Sequence, residues 1–150
     1  MEARVLSNDV ICVVLHRNDP LAAKEAIRPE DLGTSPVVML GKDSSIRKHM
    51  DDALREAGVR PPAVHECPDI HSMIGMIRAD AGVGFLSSRV AAQYVADPVV
   101  SRPIEPAIRT MTAVLYLKGG AQDVHLASFA EYLQDSLGGS PLPDGGSRTA

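Results

Sequence analysis

The chain has 150 residues, 45% of them apolar and 23% charged, with a formal net charge of −4. That is one globular domain's worth of sequence, able to bury roughly 70% of its unfolded surface, and its acidic balance offers no footprint for a phosphate backbone. No apolar run approaches the roughly 18 residues of a membrane span, and no signal peptide is legible at the N-terminus, so a cytoplasmic protein is expected.

In chain order, Val-Ile-Cys-Val-Val-Leu at 10–15 is a continuous apolar run that predicts a strand buried on both faces. Pro20 stops it. The connection through Pro29-Glu-Asp-Leu32 leads to a second strand at 37–40 and then to the loop Gly41-Lys-Asp-Ser-Ser45. A helix follows, with Ile46, Met50, Leu54 and Ala57 on one face, Ser44 or Ser45 as its cap and Gly58 to end it in the left-handed conformation. Residues 63–67 predict a third strand. Asp69 caps a second helix carrying Ile70, Met73, Ile74, Ile77 and Ala81, with Gly82 to close it. Residues 83–86 form a short buried strand, and Ser87-Ser88 cap a third helix to about residue 96. A strand begins at Val99 and stops at Arg102-Pro103. A longer one spans 110–117, and a last helix spans about 123–137, with Leu126, Phe129, Ala130, Leu133 and Leu137 on its face. Residues 138–150, rich in Gly, Pro and Ser, predict a disordered tail. The alternation of strand and helix argues for an α/β fold with a mainly parallel sheet.

The order of these motifs resembles the effector-binding (substrate-binding) domain of LysR-type transcriptional regulators. The matching segments are His-Arg-Asn-Asp-Pro-Leu-Ala at 16–22, Pro-Glu-Asp-Leu at 29–32 and Pro-Val-Val-Met-Leu-Gly-Lys-Asp-Ser-Ser-Ile-Arg at 36–47. Ala57-Gly58 and Ala81-Gly-Val-Gly84 complete the pattern, which covers 10–137. One departure is Leu86-Ser87, where the family often has Leu-Pro. The resemblance implies Rossmann-like, periplasmic-binding-protein-like subdomains. Residues 17–111 would form one complete subdomain, with 10–15 and 112–117 as crossover strands. The helix at 123–137 would belong to an incomplete second subdomain. Family members begin with a winged helix-turn-helix and the first part of the effector domain, so a truncated chain is expected, reaching DNA only through helices absent from it.

The function implied is sensing of a small organic, anionic effector and coupling it to transcription, by a homo-oligomer. With half a cleft, weak or undetectable binding is expected. The alternative is an interaction or dimerisation module that associates with itself or with an intact regulator. Candidate effector contacts are Gly41, Lys42, Asp43, Ser44 and Ser45 in the loop, Asp69 and Ile70 at the next turn, and Phe85 at a strand end. Ligands in such folds collect at strand carboxyl ends, near helix N-termini. Arg47, Lys48 and His49 crowd a helix start that disfavours positive charge. A bound carboxylate would offset them, as would Asp43, Asp51 or Asp52. The plainer readings are a capped helix with a solvated basic turn, Asp69 as an ordinary cap and Phe85 as a core plug.

His65, Cys67 and His71 fall one ligand short of a structural zinc site, so no metal is expected. A peroxide-sensing branch of the family has cysteines where this chain has Ser45 and Leu54, so Cys12 and Cys67 are expected to be inert thiols. No hydrolase, metalloprotease or phosphate-loop motif occurs. Neither an enzyme nor a cofactor is expected.

Overall fold

The computed structural model describes residues 1–117 and 124–136. It divides into two units, Val10–Thr110 and Met1–Asp9 with Met111–Ala150. The strands are β1 (Glu2–His16), β2 (Val37–Leu40), β3 (Val64–Cys67), β4 (Val83–Ser87), β5 (Val99–Pro103) and β6 (Arg109–Tyr116). The helices are α1 (Ser45–Glu56), α2 (Ile70–Arg78), α3 (Ser88–Tyr94) and α4 (Val124–Ser136), with 3-10 turns at Pro20–Ala23 and Pro29–Thr34.

Within Val10–Thr110 the strand order is β3-β2-β4-β1-β5. Strand β2 runs parallel to β3 and β4, while β1 is antiparallel to both β4 and β5. Four strands therefore point one way and β1 alone points back. The sheet is mainly parallel, as its strand-helix alternation requires.

Strand periodicity explains why both faces are covered. Side chains alternate across a strand, so Ile11, Val13 and Leu15 enter one core while Cys12 and Val14 enter the other. The first core receives Met50 and Leu54 from α1, with Leu21, Ala22, Ile27, Leu32 and Ile104 from the connecting segments. The second receives Met73, Ile74 and Ile77 from α2 and Ala91 from α3. Each fully buried aliphatic side chain is worth about 1.5–3 kcal/mol against exposure, which is why the apolar runs end up in the centre of the sheet.

Both long helices of this unit end in the same way. After α1, Gly58 adopts φ 68°; its N–H donates to Arg55 O, and that of Val59 to Leu54 O. This is a Schellman motif. After α2 the left-handed residue is Asp80 (φ 57°) rather than Gly82, with Asp80 N–H donating to Ile77 O and Ala81 N–H to Met76 O. The helix thus stops at Arg78, earlier than the expectation built on Gly82, because aspartate tolerates that conformation. Gly82 has a different task. At φ +153° a Cβ there would lie 2.6 Å from the Pro36 carbonyl oxygen, so only glycine lets the chain enter β4 this close to the start of β2.

Three further boundaries differ from expectation. Strand β1 begins at Glu2, eight residues before the apolar run, and it is β6 that pairs with it; no apolar run marks residues 2–9, so their partner lies elsewhere in the sequence. Strand β3 begins at Val64, and α3 ends at Tyr94. The expected ends of the last helix at 123 and 137, and the tail at 138–150, lie outside the described residues.

Candidate functional site

Strands β2 and β3 are parallel neighbours with Leu40 opposite Cys67, so the loops leaving their carboxyl ends emerge side by side. The first loop turns tightly, with Ser44 N–H donating to Gly41 O at 2.9 Å, and delivers α1. The second is shorter and delivers α2 through Pro68 and Asp69. Between them lies an open groove of about 550 Å³. Leu40, Gly41, Asp43 and Ser44 line one side, Pro68, Asp69, Ile70 and His71 the other, and Tyr94 at the end of α3 contributes from a third element.

The two helix starts at this groove differ electrically. Ser44 caps α1, its hydroxyl accepting from Arg47 N–H, and the first turn holds no acidic residue. Asp69 caps α2, its Oδ1 accepting from Ser72 N–H at 2.7 Å. The N–H of Ser72 holds the Asp69 carboxyl below its usual range, so the positive end of α2 already has its anion. At α1 the partner is a neutral hydroxyl.

The basic first turn of α1 does not serve the groove. The Arg47 side chain is only 10% exposed. Its Nε donates to both oxygens of Asp51 at 3.0 Å, and its Nη1 donates to Leu40 O at 3.0 Å and to Glu66 Oε2 at 3.2 Å. The charge that the sequence left in search of a partner is met by Asp51 one turn along and by Glu66 from β3. Asp52 pairs instead with Arg55, and Asp43 faces the groove. His49 Nδ1 sits 2.7 Å from Ser45 O.

Of the eight candidate contacts, Gly41, Asp43, Ser44, Asp69 and Ile70 meet at the groove. Lys42 and Ser45 are exposed beside it and do not line it. Phe85 is elsewhere: 2% exposed, it packs in the first core. Inward-facing positions of a central strand covered by helices go to the core, and the largest plug goes deepest. Residues that sequence reasoning missed are Leu40, Pro68, His71 and Tyr94. The rings of His71 and Tyr94 meet edge to face, centroids 5.6 Å apart at 85°. They stand on different helices, and no sequence spacing announces their pairing.

Cys67 is buried, and its thiol donates to Met39 O at 3.4 Å. Burial, then the charge of Asp69, pushes this thiol's pKa up, which opposes thiolate chemistry. His65 is exposed while Cys67 is buried, and among the described residues no cluster of three or more His, Cys, Asp or Glu is placed to hold a metal. No helix among the described residues is long and apolar enough to cross a membrane. A second concavity of about 610 Å³ lies beside α1, bordered by Glu30, His49, Glu56 and Arg109.

Comparison with known proteins bears on the fold and the family. A family model described as the LysR substrate binding domain matches residues 1–138. The transcriptional activator protein LysR of Escherichia coli (strain K12) is 26% identical over 133 residues, covering 89% of this chain and 42% of that protein. A solved structure of a putative LysR family transcriptional regulator from Pseudomonas aeruginosa superposes with a TM-score of 0.77 at 22% identity, covering 91% of this chain and 48% of the other. The regulatory domain of CcmR from Synechocystis PCC6803, solved in complex with 2-PG, gives a TM-score of 0.74 at 20% identity over 91% of this chain and 66% of that one. The chain spans between 30% and 42% of the length of three curated relatives it matches.

Proposed function

This chain belongs to the LysR substrate-binding domain family, and from that premise we propose that it senses a small organic acid in the groove at the carboxyl ends of β2 and β3. The observation that carries the reading is the meeting of two helix starts at one groove, only one of them capped by a carboxylate. The start of α1 has a neutral cap and no acidic residue in its first turn, and such a helix end favours an anion. The approach at Gly41 is open, since a Cβ at that position would have only Glu66 Oε1, 4.0 Å away, near it. Asp43 offers a hydrogen-bond acceptor and His71 an imidazole to the rest of the ligand.

In a regulator that carries DNA-binding helices, occupancy of this groove would bias the domain's conformation and so transcription. Residues 17–111 act in this reading as the complete lobe. The segments 10–15 and 112–117 connect it to a second subdomain, to which 123–137 belongs. The protein works in the cytoplasm as part of a homo-oligomer. The matched relatives are named as transcriptional regulators, and CcmR's regulatory domain was solved in complex with 2-PG; both support sensing over catalysis.

Amide NMR during titration with a panel of small hydroxy acids tests the proposal. Expected are shifts confined to residues 41–46 and 69–72, abolished by Gly41→Leu. An acid that binds while leaving those amides unmoved rules the groove out.

A second reading, association through β6 and α4, is favoured by the exposure of Leu115, Phe129 and Tyr132. Light scattering that finds a monomer at high concentration removes it.

A further inference from the structure

The groove wall opposite α1 suggests which acids it accepts. Tyr94 is half-buried, packed against the second core beside Leu40 and Ile70. The His71 ring stands perpendicular to it at 5.6 Å. A ring held by a core and by a T-shaped neighbour is a preorganised apolar surface, and such surfaces favour offset or edge-on contact with a further ring. Among the described residues these two aromatic side chains are the ones that line the groove. Phe85 is in the core, and Tyr116, Phe129 and Tyr132 belong to the other unit.

The charges on the walls narrow the choice further. Asp43 and Asp69 both line the groove, and no Lys or Arg joins them. Lys42, between Gly41 and Asp43, is exposed and does not line the groove, and Arg47 is spent on Asp51 and Glu66. A ligand with a second carboxylate would set it against these two acids with no cation among the lining residues to meet it.

We propose that Tyr94, steadied by His71, is the specificity-determining residue of this groove, and that the effector class is a small monocarboxylic acid with a planar ring. The inference rests on the effector groove proposed above. The carboxylate points toward α1, the ring lies on Tyr94, and Asp43 and Asp69 turn away dicarboxylates.

The test uses the 150-residue chain, amide NMR, and benzoate, acetate and terephthalate as probes. Benzoate is expected to bind more tightly than acetate at the same amides, 41–46. Tyr94→Leu should lower benzoate affinity roughly three- to tenfold, the range of one aromatic contact, and leave acetate unchanged. Tyr94→Phe should restore the preference. Terephthalate should bind more weakly than benzoate, and Asp43→Asn should narrow that gap. Equal affinity for benzoate and acetate, or a Tyr94→Leu effect that falls on both alike, overturns the specificity assignment while the groove stands. If none of the three acids moves the amides at 41–46, the groove itself is lost and the assignment falls with it.

Discussion

The unit Val10–Thr110 and the unit formed by Met1–Asp9 and Met111–Ala150 use similar apolar sequence with opposite results. In the first, Val13, Val14 and Leu15 of β1 are fully buried. In the second, Leu115 of β6 is 64% exposed, and Phe129 and Tyr132 of α4 are 53% and 68% exposed. Only Leu6, Ser7 and Ala130 are buried among the described residues of that unit. The first has a five-stranded sheet with helical cover on both faces, whereas the second has a strand pair and one helix. A strand pair has too little surface to build a core, so an apolar pattern names a face without guaranteeing anything to cover it.

The sharpest way to break this contrast is to truncate one side chain in each region. Ile77→Ala in α2 removes a fully buried group and should cost about 2–5 kcal/mol, read from urea unfolding. Leu115→Ala should stay within roughly 0.5 kcal/mol. Equal costs would mean that Leu115 is covered in solution, and the contrast would collapse.

Within the well-packed unit, two glycines refine the argument. Gly82→Ala places a Cβ 2.6 Å from backbone oxygen at φ +153° and should cost roughly 2–4 kcal/mol. Gly58→Ala meets nothing within 4 Å, leaving only the left-handed strain of roughly 1–2 kcal/mol. The same melts would show a reversed order if Gly82's closeness to Pro36 were unimportant.

A smaller effect is expected at the groove. Ser44→Ala removes the α1 cap and should lower stability by about 1 kcal/mol, with Ser44→Asp restoring it. If the helix start is the anion site, that aspartate should also occupy it, so acid-induced shifts of amides 41–46 should vanish in a protein of normal stability.

In the exposed unit, replacing Leu115, Phe129 and Tyr132 together by glutamine should abolish concentration-dependent mass in sedimentation velocity while leaving the melting of Val10–Thr110 almost unchanged. Association that persists in this variant would place the contact elsewhere.

The mildest prediction concerns acid. Asp31 is held below the usual carboxylate range by its hydrogen bond from Lys24 and then by the Arg28 N–H, and Asp69 by Ser72. A lowered folded-state pKa adds stability that is fully present above the unfolded value of roughly 3.9 and is lost as pH falls through the folded value. Asp31→Asn and Asp69→Asn should each flatten the stability loss in that window, measured by unfolding at successive pH values. Both groups lie in Val10–Thr110, so this acid response should belong to that unit.

Much of this protein could be read from residue order. The apolar run at 10–15, the α1 face of Met50 and Leu54, the caps at Ser44 and Asp69 and the left-handed end at Gly58 are all local consequences of side-chain period and backbone freedom, which act within a few residues. The order of those segments was enough to point to the family. The loop at 41–44 and the turn at 69–70 were also visible, because a strand end followed by a capping residue is a local signal. What the fold alone decided involves partners far apart in the chain. Examples are the extension of β1 back to Glu2, the neutralisation of Arg47 by Glu66, the placing of Phe85 in the core and the meeting of His71 with Tyr94. Each depends on which surface the sheet brings opposite, and that choice follows from the summed burial of the whole unit rather than from any residue's neighbours in sequence.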